Sequence, residues 1–186
     1  INQIANFDGV ILGLQKFDSD VINAAPNLSI IAKFGVGMDN VDVELCKKKK
    51  IKLKKATGCN SISVAEVVVA NAISLLRKVN INNSQMHKMV WKKETGNELF
   101  KKKIGVIGVG SVGKEVIKRL KPFNVSIFAN DIKIDKKFFR QNNINYLSKN
   151  KIFSSCDVIT IHTPLTYQTE NLINKKTIRN FKENSI

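Results

Sequence analysis

Lys103-Ile-Gly-Val-Ile-Gly-Val-Gly-Ser-Val-Gly113 decides how this chain is read. An apolar run of strand character passes straight into Gly108-x-Gly110-x-x-Gly113, and Val112, Val116, Ile117 and Leu120 then mark one face of a helix. Strand, tight turn and helix in that order form the dinucleotide-binding start of a βαβ unit. Gly108 allows the turn, Gly110 leaves the backbone bare so that a pyrophosphate can approach, and Gly113 lets the helix pack close to the strand. The phosphates then lie at the helix N-terminus, where unpaired N–H groups and the dipole both favour an anion. A second strand, Val125-Ser-Ile-Phe-Ala, leads to Asp131, 18 residues past Gly113. That spacing is close to the roughly 20 residues expected for a carboxylate that accepts from the ribose hydroxyls. An acid there repels a 2′-phosphate, so NAD is favoured over NADP, a preference that the neighbouring Lys133 softens. The bland alternative is a tight turn of any α/β protein.

The 186 residues are 43% hydrophobic and 25% charged, enough apolar matter for a core and too much for a disordered chain. No apolar run approaches the ~18 residues that cross a bilayer, so a soluble globular protein of one domain or two small ones is expected. The sequence begins at Ile1 rather than Met and stops at Ile186 in an apolar stretch, which gives the expectation of a piece of a longer protein.

A net charge of +16 raises the question of nucleic acid or an anionic membrane. Lysine outnumbers arginine 27 to 4, whereas phosphate and base readers favour the bidentate arginine fork, and few aromatics, Trp91 among them, sit beside a lysine-rich stretch. Neither partner is therefore expected. Cys46, Cys59 and Cys156 are odd in number and lack C-x-x-C spacing, which suggests neither a disulfide framework nor a zinc site. A reducing cytoplasm fits best.

The rest of the chain keeps βαβ rhythm. Val10-Ile-Leu reads as a strand, Asp18–Ala25 as a helix stopped by Pro26, and Leu28-Ser-Ile-Ile-Ala as a strand. Asp42 is placed to cap a short helix reaching Lys50, and Ile51-Lys-Leu-Lys alternates as a strand with one wet face. Ser61–Val79 is expected to be one long helix, followed by a polar stretch with Asn80, Asn82 and Asn83, a helix around Ser84–Trp91 and a loop through Gly96.

Four blocks in order resemble the D-isomer-specific 2-hydroxyacid dehydrogenases, most closely their phosphoglycerate branch. They are Phe34-Gly-Val-Gly-Met-Asp-Asn-Val-Asp42, Cys59-Asn-Ser-Ile-Ser-Val-Ala-Glu66, the glycine turn with Asp131, and Asp157-Val-Ile-Thr-Ile-His-Thr-Pro-Leu-Thr166. The resemblance implies an α/β protein with a Rossmann-like nucleotide-binding domain on a parallel sheet and part of a flavodoxin-like substrate domain. Residues 1–59 would be the partial substrate domain and 60–186 the NAD-binding domain, incomplete at its C-terminal end.

Carried over residue by residue, Val36 and Gly37 match the turn whose backbone N–H groups hold the substrate carboxylate, which successive exposed N–H groups can do. An ordinary strand-to-helix turn is the alternative. Asn60 matches the family asparagine facing the active-site cleft, and equally suits the N-cap region of the long helix. Ser111 and Val112 match the residues over the pyrophosphate; Thr163 and Pro164 match the loop beside the adenosine, with His162 before them. His162 is counted with the cofactor-binding residues and not as the general base. In the family that base is a later histidine paired with a glutamate, and the carboxylate-binding arginine would fall about six residues past Ile186, so no catalytic group is assigned within these residues.

The resemblance thus implies an NAD-dependent oxidoreductase for a small D-2-hydroxy acid, with 3-phosphoglycerate in serine biosynthesis as a candidate. The alternative is a non-enzymatic NAD-sensing protein of the corepressor type. It also implies a homodimer through the helix 61–79 and the arm after it. Two departures bear on the substrate: Gly13-Leu14-Gln15-Lys16 stands where phosphoglycerate enzymes commonly show an Arg-Ser pair, and Lys54-Lys55-Ala56-Thr57 replaces an apolar, asparagine and proline run.

Overall fold

A computed structural model describes residues 3–186. The chain divides into two compact units at Cys59/Asn60. The first unit holds strands β1 (Gly9–Leu12), β2 (Ile30–Lys33) and β3 (Lys52–Lys55), all parallel in the order β1-β2-β3, with helices α1 (Ser19–Asn23) and α2 (Val43–Lys48) as crossovers. Its core joins Leu12, Phe17, Ile22, Ile31, Cys46 and Ile51. Asp18 caps α1 by accepting from Val21 N at 3.3 Å, and Asp42 caps α2 by accepting from Leu45 N at 2.9 Å. The unusual Lys54-Lys55 pair has a physical place: among the described residues β3 pairs only with β2, and exposed lysines on an edge strand discourage pairing with another chain.

The second unit opens with α3 (Ser61–Leu76) and α4 (Val79–His87). Here the structure corrects the expected single helix 61–79 and the expected helix around Ser84–Trp91. Arg77 ends α3, Lys78 turns into the left-handed region at φ 53°, and the asparagine-rich stretch is itself helical. The reason lies outside local propensity. Asn82 donates Nδ2–H to Glu94 O at 3.2 Å and accepts from Glu94 N at 2.8 Å, so a contact across the following arm fixes the helix. Trp91 lies beyond it in irregular chain.

The nucleotide sheet follows: β4 (Lys103–Ile107), β5 (Ser126–Asn130), β6 (Asn145–Tyr146) and β7 (Val158–Ile161), all parallel in the order β6-β5-β4-β7. Helices α5 (Ser111–Leu120), α6 (Lys136–Gln141), α7 (Lys149–Ser155) and α8 (Lys175–Ile178) connect or flank them. β4 is buried along Ile104–Ile107 because both faces are covered. Ile104 and Val106 pack toward α3 and α5, whereas Ile107 packs with Ile152, Phe153 and Cys156 of the α7 side. Ile186 lies beside β7, accepting from Ile159 N at 2.8 Å and donating to Asp157 O at 3.0 Å. The crossover from β4 goes one way to β5 and the chain later returns to β7 on the other side, so the strand order reverses at β4/β7. That is where an open α/β sheet forms its ligand crevice.

Candidate functional site

A cavity of about 270 Å³ lies at this switch point, beyond the carboxyl ends of the strands. Ile107, Gly108 and Gly110 line it from β4, Asn130 and Asp131 from β5, and His162, Thr163 and Pro164 from β7. All of these but Ile107 and Asn130 are residues that the sequence assigns to the cofactor.

The glycine turn is built from three separate steric demands. At Gly108 φ is +92°, and a Cβ would come within 2.7 Å of the His162 backbone. At Gly113 a Cβ would meet Gly108 O at 2.1 Å, so only glycine lets α5 start this close to the strand. At Gly110 a Cβ would meet nothing within 4 Å. The protein itself does not need a glycine there; bare backbone facing open space at the head of a helix is what an approaching pyrophosphate needs. Ser111 is exposed at the first position of α5, and Val112 packs against the core, so their contribution is the main-chain N–H groups of the first turn, which no helix can pair internally.

Asp131 closes the other side of the turn. Its Oδ2 accepts from Val109 N at 2.6 Å and its Oδ1 from Lys133 N at 2.8 Å. Asn130, which sequence reasoning passed over, carries the sheet edge: its carbonyl accepts from Gly108 N at 2.8 Å and its Nδ2 donates to Leu147 O at 2.8 Å. His162 is held by its backbone N–H to Ile107 O at 2.7 Å, and its Nε2 lies 2.8 Å from Thr160 Oγ1. Burial holds the imidazole below its ordinary pKa of 6.5, so it is neutral at pH 7. The loop after Pro164 is ordered by Thr169, whose Oγ1 donates to Pro164 O at 2.5 Å and accepts from Thr166 N at 2.8 Å. These residues fit a dinucleotide: an anion cradle, a carboxylate one strand away, and a neutral, partly apolar far wall.

Residues 69–186 match the family model of the D-isomer specific 2-hydroxyacid dehydrogenase, NAD binding domain. The chain belongs to this family. It is 35% identical over 189 residues to the D-3-phosphoglycerate dehydrogenase of Archaeoglobus fulgidus, an alignment covering 100% of this chain and 36% of that protein. It is 34% identical over 179 residues to the hydroxypyruvate reductase of Thermotoga maritima, covering 95% of this chain and 58% of that one. Among solved structures, the NAD-dependent formate dehydrogenase of Staphylococcus aureus in complex with NAD superposes with a TM-score of 0.88 at 32% identity, over 98% of this chain and 56% of that one. The NAD+-bound 3-phosphoglycerate dehydrogenase of Entamoeba histolytica gives 0.81 at 31%, over 96% and 54%. The chain thus spans about a third to just over half the length of these relatives. As a 2-hydroxyacid dehydrogenase family member it carries a Rossmann-like domain whose cofactor is NAD.

The family residues outside the cavity are placed unit by unit. In the first unit, Gly35 (φ +131°), Val36 and Gly37 follow β2 as an irregular turn. Lys33, only 6% exposed, anchors the strand end before it, donating to Gly13 O and, at 2.8 Å, to Asn40 Oδ1. Lys16, at the place of the missing Arg-Ser pair, is exposed and paired with Asp18 at 3.0 Å. In the second unit, Asn60 occupies the N-cap position of α3 but its side chain makes no capping bond, leaving its amide exposed. No group of three or more His, Cys, Asp or Glu suited to a metal occurs among the described residues. No helix of the described residues is long and apolar enough to cross a membrane.

Proposed function

We propose that this protein is an NAD-dependent oxidoreductase acting on a small D-2-hydroxy acid, with 3-phosphoglycerate as the first candidate. The nicotinamide would supply or take the hydride exchanged with C2 of the acid. The observation that carries the reading is the turn at Gly110, left bare where the fold has no steric need of glycine, opposite the Asp131 carboxylate. In this reading Gly108, Gly110, Ser111, Val112 and Gly113 bind the pyrophosphate through main-chain N–H groups, and Asp131 accepts from the adenosine ribose hydroxyls. His162, Thr163 and Pro164 bound the cofactor on the β7 side. Val36 and Gly37 offer backbone N–H groups to the substrate carboxylate, and Asn60 offers a free amide. In this reading His162 is a cofactor-side residue and not the general base; its Nε2 lies 2.8 Å from Thr160 Oγ1.

Names of relatives support the substrate class: D-3-phosphoglycerate dehydrogenase and hydroxypyruvate reductase both concern small 2-hydroxy or 2-oxo acids. The test is NADH absorbance with the full-length protein and a panel of 2-oxo acids that includes 3-phosphohydroxypyruvate. Turnover of at least one is expected; turnover of none overturns the reading. A homodimer through α3, α4 and the arm after them is part of the same proposal. Val67, Leu75, Met86 and Trp91 there are all half exposed or more, a run of apolar side chains that a second copy would cover.

A further inference from the structure

The turn that follows β2 is closed at its base by two side chains of its own segment. Lys33, the last residue of β2, donates from Nζ to Asn40 Oδ1 at 2.8 Å and so joins the two ends of residues 34–39. Both ends also reach the loop after β1. Gly13 O accepts from Lys33 Nζ and from Asn40 Nδ2 at 3.2 Å, which fills both of its lone pairs, and Gln15 O accepts from the same amide at 2.5 Å. The main chain repeats the tie: Phe17 N donates to Asn40 O at 2.7 Å and Asp42 N to Phe17 O at 3.1 Å. The loop after β1 and the turn after β2 are thereby held as one body.

Within the turn itself, Gly35, Val36 and Gly37 make no hydrogen bond among the described residues. Their N–H groups form a row of main-chain donors held open, and such a row receives an anion only where the donors converge. Two glycines in three residues, one of them at φ +131°, keep no single geometry by themselves, so the shape of the turn is set at its base. Lys33 is the one charged residue buried among the described residues, and both of its acceptors are neutral. A buried ammonium is costly, and stability alone would be as well served by an apolar side chain of that length. What a methionine there cannot do is donate to two loops at once.

We propose that Lys33, acting through Asn40, is a positioning residue for the substrate carboxylate: the clamp holds the N–H groups of Val36 and Gly37 in the arrangement that receives it. The inference rests on the reading of that turn as the carboxylate site. It assigns Lys33 no contact with substrate. It also makes the preorganisation of the carboxylate site a property of the first unit, separate from the cofactor cradle of the second.

Steady-state kinetics of the full-length protein tests it, with NADH and hydroxypyruvate, 3-phosphohydroxypyruvate or pyruvate, whichever the wild type reduces, beside calorimetric titration of NADH and thermal unfolding. The variants are Lys33→Met, Lys33→Arg, Asn40→Ala, and Lys33→Met combined with Asn40→Ala. Lys33→Met should lower kcat/KM for the oxo acid at least about tenfold, chiefly through KM, while the Kd for NADH stays within about twofold. Lys33→Arg, which keeps donors on a long stem, should recover most of the loss. Asn40→Ala opens the same clamp from its other end, so it should raise KM alike, and the combined variant should be no worse than the worse single one. A lowered melting temperature with KM unchanged in both single variants makes the clamp merely structural and overturns the inference, as does a combined variant whose losses add. Should Lys33→Met not fold, Asn40→Ala decides by the same split between KM for the acid and Kd for NADH. Each of these failures leaves the reading of the turn as the carboxylate site standing. Reduction of none of the three acids by the wild type overturns that reading and this inference with it.

Discussion

The Asp131 carboxylate accepts a hydrogen bond from the backbone N–H of Val109 at 2.6 Å, so the acid expected to read the ribose also clamps the glycine turn. Removing it therefore does two things. Asp131→Ala strips an acceptor from the N–H of Val109, a residue only 6% exposed, and a buried donor left unpaired costs about 1–3 kcal/mol. The free energy of unfolding should fall by that amount, and NAD affinity should fall more than tenfold, since the ribose acceptor and the shape of the turn go together. Asp131→Asn keeps one acceptor oxygen and should recover most of the stability but not the affinity. A stable Asp131→Ala with weakened NAD binding would show that the clamp contributes little and that the carboxylate acts on the ribose alone.

Two alanine substitutions in the turn separate folding from binding. At Gly113 the added methyl meets Gly108 O at 2.1 Å, a clash with main chain that no side-chain rotation relieves, and α5 must move. Gly113→Ala should destabilise the fold by about 3 kcal/mol or more, at the high end of overpacking effects. At Gly110 the methyl enters open space, and φ is an ordinary −76°. Gly110→Ala should melt like the wild type yet bind NAD at least tenfold more weakly, because the methyl occupies the approach of the pyrophosphate. Unchanged NAD binding by calorimetry in Gly110→Ala would place the phosphates elsewhere.

The contrast between these glycines shows what was readable in the sequence. Gly108, Gly110 and Gly113 carry local demands at fixed spacing, and Asp42 caps its helix within three residues, so chain order alone exposes them. The end of α3 was not readable, because Val79 and the asparagines after it become helical through Asn82 and Glu94, partners 12 residues apart. Asn130 was overlooked likewise, since its amide acts on Leu147 of the neighbouring connection.

His162 gives the fold a pH dependence in a window of its own. Burial holds it below 6.5 in the folded protein, whereas the unfolded chain takes up the proton near that value. Above 6.5 both states are neutral and nothing is lost. As the pH falls from 6.5 through the depressed folded pKa, the unfolded state binds the proton first and stability declines. The shifted carboxylates do not interfere. Lys182 and the Lys103 N–H, against the opposing effect of burial, hold Asp157 below 3.8, and Lys114 does the same for Asp135, so both titrate lower. Urea unfolding between about pH 7 and pH 5.5 should show a falling midpoint that His162→Gln flattens. An equal slope in the variant would assign the effect to another group.

The arm after α4 carries the assembly prediction. Trp91 is 88% exposed and Met89 93%, although both are side chains that normally find cover, and Met86 is half exposed one helical turn earlier. Val67 and Leu75 add apolar surface on α3. An isologous contact pairs one such surface with its own copy, so these residues on two chains would meet in one patch, and a central aromatic contributes most to its energy. A carboxylate at that place faces its own image across the two-fold axis and is repelled as well as desolvated. Light scattering on the full-length protein at micromolar concentration should therefore give twice the chain mass, and Trp91→Asp should give the single-chain mass with unchanged thermal unfolding of the monomer. A monomeric wild type would defeat the dimer. A Trp91→Asp variant that still dimerises would move the interface off this arm.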